Sequence, residues 1–140
     1  MSMELSKGEK LRVILDSNAL FVPLEFKIDI FEEIPKLLKR NAELILVSPV
    51  KRELQTLTMK GSPQMRKKAM FALKLADKCS CVVVDEQETT SVDDAIVQIA
   101  KKWRCPVFTN DKQLKDKLKH ISVPVIYVRQ KSHLEINGMI

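Results

Sequence analysis

Five short apolar runs, each separated from the next by a stretch of helical character, constrain this chain more than any other feature. They lie at 11–15 (LRVIL), 43–47 (ELILV), 81–84 (CVVV), 105–109 and 123–128. The first is continuously apolar around Arg12, the pattern of a strand buried on both faces. Strands that alternate with helices pair in parallel, with right-handed crossovers that cover both sides of the sheet. The expected architecture is therefore α/β, a three-layer α/β/α sandwich with a central, about five-stranded parallel sheet.

The helices have start and stop signals. Residues 28–39 place Phe31, Ile34, Leu37 and Leu38 on one face, with Pro35 predicting a kink or break. Ser48-Pro49 supplies an N-cap and a first-turn proline for a helix that runs to Lys60 and stops at Gly61. Ser62-Pro63 repeats the signal for a longer basic helix ending near Lys78. An acidic turn at 85–88 closes the third run. Ser91-x-x-Asp94 then resembles a capping box, followed by Val92, Ile96, Ile99, Ala100 and Trp103 at core-facing helical spacing. A last helix is expected over 111–119. The chain divides into a polar, flexible segment at 1–10, one domain at 11–130, and a tail at 131–140. The apolar tail residues Leu134, Ile136, Met139 and Ile140 pack either on the domain or on a partner.

Composition removes several classes. At 140 residues the chain forms one domain able to bury an ordinary core. No apolar run reaches the roughly 18–20 residues that span a bilayer, and the polar start has no leader character. Cys79, Cys81 and Cys105 are too few for a disulfide framework and match no common zinc spacing. Cys81 and Cys105 read as small core residues, which favours a reducing, cytoplasmic compartment. Three glycines leave no glycine-rich phosphate loop, and no Ser-His-Asp or Cys-His arrangement is evident.

Charge is unevenly placed. Residues 51–78 hold eight basic residues against Glu53 and Asp77, a local excess equal to the +6 of the whole chain. For any single lysine this is a solvated helical face, but as a group they attract phosphate backbones. Lys51, Arg52, Lys60, Arg66, Lys67 and Lys68 are the candidates for RNA contact.

Against this basic background, Asp16, Glu53, Asp94 and Asp111 each lie at a junction between strand and helix. Singly, each has a plain structural reading: a turn cap at Asp16, an N-cap at Asp111, a capping box at Asp94, a wet helix face at Glu53. Together they suggest a shared site, because ligands in open α/β sheets bind outside the carboxyl ends of the strands. A carboxylate there loses water and gains negative neighbours, and both penalise ionisation unless a cation is present. An all-oxygen set suits Mg²⁺ or Mn²⁺. Neither His120 nor His133 is placed to join it. Such an ion activates water and offsets charge on a phosphodiester under attack.

LDSNAL at 15–20, KREL at 51–54, VDDAIV at 92–97 and FTNDKQLK at 108–115 resemble, in order, the four motifs of PIN-domain nucleases. The resemblance spans nearly the whole chain and implies a Mg²⁺- or Mn²⁺-dependent endoribonuclease. It makes Asp16, Glu53, Asp94 and Asp111 the metal-binding and catalytic acids, with Thr109, Asn110 and Asn18 as supporting polar groups. Asp93 and Asp94 diverge by about 100° on a helix, so only one points fully into a cleft. Asp94 is the expected one, with Asp93 near the rim or capping the helix. The stretch ADKCSCVVVD, the doubled aspartate and the last eighteen residues look most like archaeal relatives of the PIN endonuclease of small-subunit rRNA processing. Structured rRNA is then the expected substrate, and a homodimer is an expectation of the family.

Two alternatives remain. One is a VapC-type toxin ribonuclease with an antitoxin partner; the other is a non-catalytic RNA-binding module, which the four intact acids disfavour. With 5% aromatic residues, stacking on bases should contribute little. A phosphoacceptor receiver domain expects paired acids after the first strand, where Asp16 is followed by Ser17.

Overall fold

The computed structural model describes residues 10–85 and 91–140. The expected N-terminal segment and acidic turn, apart from Lys10 and Asp85, lie outside the described residues. The strands are β1 (Leu11–Leu15), β2 (Ala42–Val47), β3 (Ser80–Val82), β4 (Val107–Phe108), β5 (Val125–Arg129) and β6 (His133–Asn137). They form one sheet in the order β3-β2-β1-β4-β5-β6. All pairings are parallel except that of β5 with β6. Around the sheet lie α1 (Val22–Phe26), α2 (Ile30–Leu38), α3 (Ser48–Lys60), α4 (Pro63–Ala76), α5 (Val92–Trp103) and α6 (Lys112–His120).

The strand order explains where a site can form. From β1 the chain winds outward through β2 to β3, then crosses back so that β4 pairs on the other side of β1. The connections at the carboxyl ends of β1 and β4 leave in opposite directions, and a crevice opens between them. Val13, Ile14 and Leu15 of β1 are fully buried, as are Val107 and Phe108 of β4. Apolar burial on both faces holds these two strands at the centre, so the residues that follow them are positioned by the core.

Pro49 lies in the first turn of α3 as expected, but Ser48 is not its N-cap: Val47 holds that position, and the Ser48 hydroxyl accepts instead from the Val84 amide at 3.1 Å. The Ser62 hydroxyl accepts from the Met65 amide to cap α4, as expected. The core face of α5 comprises Ala95, Ile96 and Ala100, with Val92, Ile99 and Trp103 packed at its margin. The Arg12 guanidinium lies 4.2 Å from the Trp103 ring centroid, so the one charge in β1 is covered by an aromatic face. Among the described residues no helix is long and apolar enough to cross a membrane.

Several expectations are corrected. Pro35 does not end α2, which runs through it to Leu38 and closes at Lys39 in the left-handed region. The segment after Asp16 contains a 3-10 turn (Ser17–Phe21) and α1, elements that the apolar pattern had not separated. The third strand spans Ser80–Val82 rather than 81–84 and lies at the sheet edge, where Cys81, read as a core residue, is exposed. Cys105 is buried as expected, and burial pushes its thiol up to about 11.

The tail adds a sixth strand. Gln130 and Lys131, both with positive φ (54° and 57°), reverse the chain, and the Ser132 amide donates to the Arg129 carbonyl at 3.1 Å. Leu134 enters the core and Ile136 packs against it, whereas Met139 and Ile140 stay exposed. The tail therefore folds back on its own domain. Leu134→Ala should cost about 2 kcal/mol, lowering the urea midpoint, because it opens a cavity under β6. Met139→Ser should move stability by no more than about 0.5 kcal/mol. Equal midpoints for the two variants would contradict the packing of β6.

Candidate metal centre

Asp16 sits one residue past β1, 4% exposed; together with Thr109, fully buried just past β4, it is the polar exception in an otherwise apolar core among the described residues. The Thr109 hydroxyl donates to Asp16 Oδ2 at 2.8 Å, joining the ends of the two central strands. The Ser17 amide donates to Oδ1 at 2.8 Å, and the Asn18 side-chain amide to Oδ2 at 3.1 Å. Asn18 Oδ1 accepts from the Asn110 amide at 3.0 Å, and Asn110 Oδ1 accepts from the Val128 amide at 2.8 Å. Polar side chains thus link β1, the end of β4 and β5 around the base of the crevice.

Asp111 is the N-cap of α6: its Oδ1 accepts from the Gln113 and Leu114 amides at 2.8 and 3.3 Å. The Thr109 oxygen accepts from the Asp111 amide at 3.0 Å, so one hydroxyl orients two acids. The plain structural reading of Asp111 is correct, and it does not exclude the other. One ligand atom from each of Asp16, Asp93 and Asp111 falls in a group whose members lie within 4.8 Å of one another.

The member contributed by α5 is Asp93, the reverse of the expectation for the Asp93-Asp94 pair. The Ser91 hydroxyl caps α5 by accepting from the Asp94 amide at 3.1 Å. With the first turn anchored there, Asp93 is half-buried towards Asp16 while Asp94 is exposed. Helical rotation allowed either choice; the docking of Ala95 and Ile96 into the core selects one.

The electrostatics show mutual repulsion. Burial raises the Asp16 carboxyl above its ordinary range, the Thr109 and Ser17 hydrogen bonds oppose that, and the charges of Asp93 and Glu53 add to it. Asp93 is also raised, first by burial and then by Asp111, with Glu53 and Asp94 adding and Lys117 of α6 opposing. Lys117 went unnoticed in the sequence because nothing in it shows that α6 runs beside the start of α5. Glu53, half-buried on α3, stays outside the tight group yet close enough for its charge to act on Asp16 and Asp93.

Three carboxylates, two of them resisting ionisation, form a hard oxygen donor set that fits a divalent cation of the Mg²⁺ or Mn²⁺ type. Thr109 and Asn18 hold one Asp16 oxygen, which restricts the carboxylate to a single orientation.

The basic candidates are more dispersed. Lys51 and Arg52 adjoin Glu53, whereas Lys60 lies about 13 Å further along α3. Arg66 and Lys67 are exposed on α4, and Lys68 pairs with Glu25 at 3.9 Å.

Comparison with known proteins gives a consistent result. Residues 13–131 match a family described as a PIN like domain. Ribonuclease VapC4 of Methanocaldococcus jannaschii is 35% identical over 130 residues, covering 92% of this chain and 98% of the relative. Ribonuclease VapC9 of Archaeoglobus fulgidus is 29% identical, covering 91% and 93%. Among solved structures, the PIN domain endonuclease Utp24 superposes with a TM-score of 0.77 at 26% identity, covering 92% of each chain. The match takes in the last three residues of β1, helices α3 and α4 and all three converging aspartates, and the chain belongs to the PIN-domain family.

Proposed function

We propose that this protein is a metal-dependent endoribonuclease that hydrolyses RNA phosphodiester bonds at the Asp16, Asp93 and Asp111 cluster. The observation that carries this reading is the convergence of three acids from separate elements within 4.8 Å, at the switch point of the sheet. The ribonuclease names of two relatives, each aligned over more than nine-tenths of its own length, support it. When bound, a Mg²⁺ or Mn²⁺ ion supplies Lewis acidity to the scissile phosphate and makes water acidic enough to attack near neutral pH.

The chain's own residues do the rest. Asp16, Asp93 and Asp111 hold the ion, and the Thr109 hydroxyl and Asn18 amide keep Asp16 from turning away. Glu53 orients the attacking water from outside the cluster. Lys51 and Arg52 beside it hold the RNA backbone, with Lys60, Arg66, Lys67 and Lys68 extending the positive field. Asp94 is solvent-facing and takes no ligand role in this reading. A cytoplasmic setting goes with it, because Cys79, Cys81 and Cys105 are all free thiols.

Two biological settings follow from different observations. The resemblance of ADKCSCVVVD, the doubled aspartate and the last eighteen residues to rRNA-processing PIN endonucleases supports processing of structured rRNA. The VapC names of both relatives favour a toxin ribonuclease held by an antitoxin, the second reading. Expression without neighbouring genes separates them: growth arrest that requires Asp16 supports the toxin, and unimpaired growth supports processing. A homodimer belongs to either setting.

Cleavage of a structured rRNA fragment should require Mn²⁺ or Mg²⁺. Asp93→Asn should lower the rate by at least about a hundredfold, and Asp94→Asn should change it by no more than a few-fold. The opposite ranking in a cleavage assay would return the ligand role to Asp94.

Without metal, the raised Asp93 carboxyl binds protons more readily in the folded than in the unfolded state. Its ionisation therefore removes stability as pH rises from the ordinary aspartate range through the raised value. Metal-free Asp93→Asn should melt a few degrees above wild type at pH 7, with the gap closing towards pH 4. Added Mn²⁺ should raise the wild-type melting temperature more than the variant's. A variant that melts below wild type without metal would refute the repulsion.

A further inference from the structure

A second feature adjoins the acidic cluster and differs from it in charge. Between α6 and the β5–β6 hairpin lies a cavity of about 330 Å³, lined among others by Lys112, Lys115, Lys119, Tyr127 and Asn137. The three lysines recur at i, i+3 and i+7 and so share one edge of α6. They cover about 10 Å along the helix axis. The row starts one residue after Asp111, which caps the same helix and belongs to the acidic group.

Asp116 lines the same cavity, yet none of the three lysines is neutralised by an ion pair among the described residues. Lys115 Nζ instead lies 4.9 Å from the centroid of the Tyr127 ring. That ring belongs to the chain's one tyrosine and is tethered at its hydroxyl, which donates to Glu135 Oε2 at 3.2 Å. Glu135 is fixed in turn by Arg129 at 3.0 Å. A planar side chain is thereby held still beside a row of unpaired cations, and that combination suits one strand of nucleic acid. Lysines track the phosphates while a base stacks on the aromatic face. A duplex keeps its base faces hidden and makes no use of Tyr127.

We propose that the groove between α6 and the β5–β6 hairpin binds a single-stranded stretch of RNA beside the cluster, with Lys112, Lys115 and Lys119 on phosphates and Tyr127 under a base. It deepens the ribonuclease reading and rests on it for the identity of the ligand. It also revises the expectation that stacking counts for little: aromatic residues are few, but one stands where a strand leaving the cluster would pass. The tail contributes as well, because β6 forms the far wall and Glu135 tethers the tyrosine.

The test measures binding without cleavage. Fluorescein-labelled oligouridine of about twelve nucleotides is titrated with full-length protein in EDTA, across a range of salt concentrations. The Lys112→Gln, Lys115→Gln, Lys119→Gln triple variant should bind at least about tenfold more weakly. Its slope of log affinity against log salt should be shallower by about 2, for three lost phosphate contacts at 0.7 each. Tyr127→Ala should bind about tenfold more weakly, and Tyr127→Phe within about threefold of wild type. Thermal melts of the same proteins check that each variant is folded. Wild-type affinity and slope in the triple variant would overturn the proposal. So would wild-type affinity in Tyr127→Ala, or tighter binding of an RNA duplex of equal length. The ribonuclease reading fails on a separate result, the absence of any cleavage by wild type with Mn²⁺, whatever the binding shows.

Discussion

The hydrogen bond from the Thr109 hydroxyl to the buried Asp16 carboxylate organises this molecule. It joins the residues that leave the two central strands, β1 and β4, where polar atoms would otherwise lack water. A buried carboxylate without partners costs several kcal/mol. Asp16 is tolerated because Thr109, Ser17 and Asn18 all donate to it, and no buried side-chain N or O among the described residues is left unpartnered. The same Thr109 oxygen accepts from the Asp111 amide, so the start of α6 is positioned by the group that positions Asp16. The acidic site is thus tied to the hydrophobic sheet through one side chain.

This arrangement sets stability against function. Apolar packing places Asp16, Asp93 and Asp111 close together; burial first, and then the charges of neighbouring acids, raise the carboxyls of Asp16 and Asp93 above their ordinary range. Hydrogen bonds relieve part of the strain at Asp16. At Asp93 the charge of Lys117 opposes its acidic neighbours. A cation bound at such a site would remove the penalty that folding created, and so would stabilise the folded protein. Further along α6 the sign reverses, and lysines line the groove that starts beside Asp111. An acidic pit beside a basic track is the electrostatic pattern that a polyanion and a metal ion need together.

Much of this was legible from residues alone, and the misses have physical reasons. The runs at 11–15 and 43–47 became β1 and the core of β2 because uninterrupted burial leaves few other solutions. The last strand was missed because its turn uses Gln130 and Lys131 with positive φ, without the glycine or asparagine that normally announces such a reversal. The alternation of HLEIN was present but lay within a segment whose packing partner was open. Cys81 looked like core and proved exposed, because β3 is an edge strand and composition does not reveal strand order.

The amino-acid sequence by itself determined the strand–helix alternation, the helix starts at Ser48, Ser62 and Ser91, and the chemical class of the site. Those depend on local preferences and on the type of residue at each junction. Only the tertiary structure decided that Asp93 rather than Asp94 meets Asp16, that the tail closes the sheet as β6, and that Tyr127 faces three lysines of α6. The physical reason is the same in each case. Adjacent helical residues differ by a rotation that only the packing of Ala95 and Ile96 resolves, and contacts between distant segments are set by the core they share.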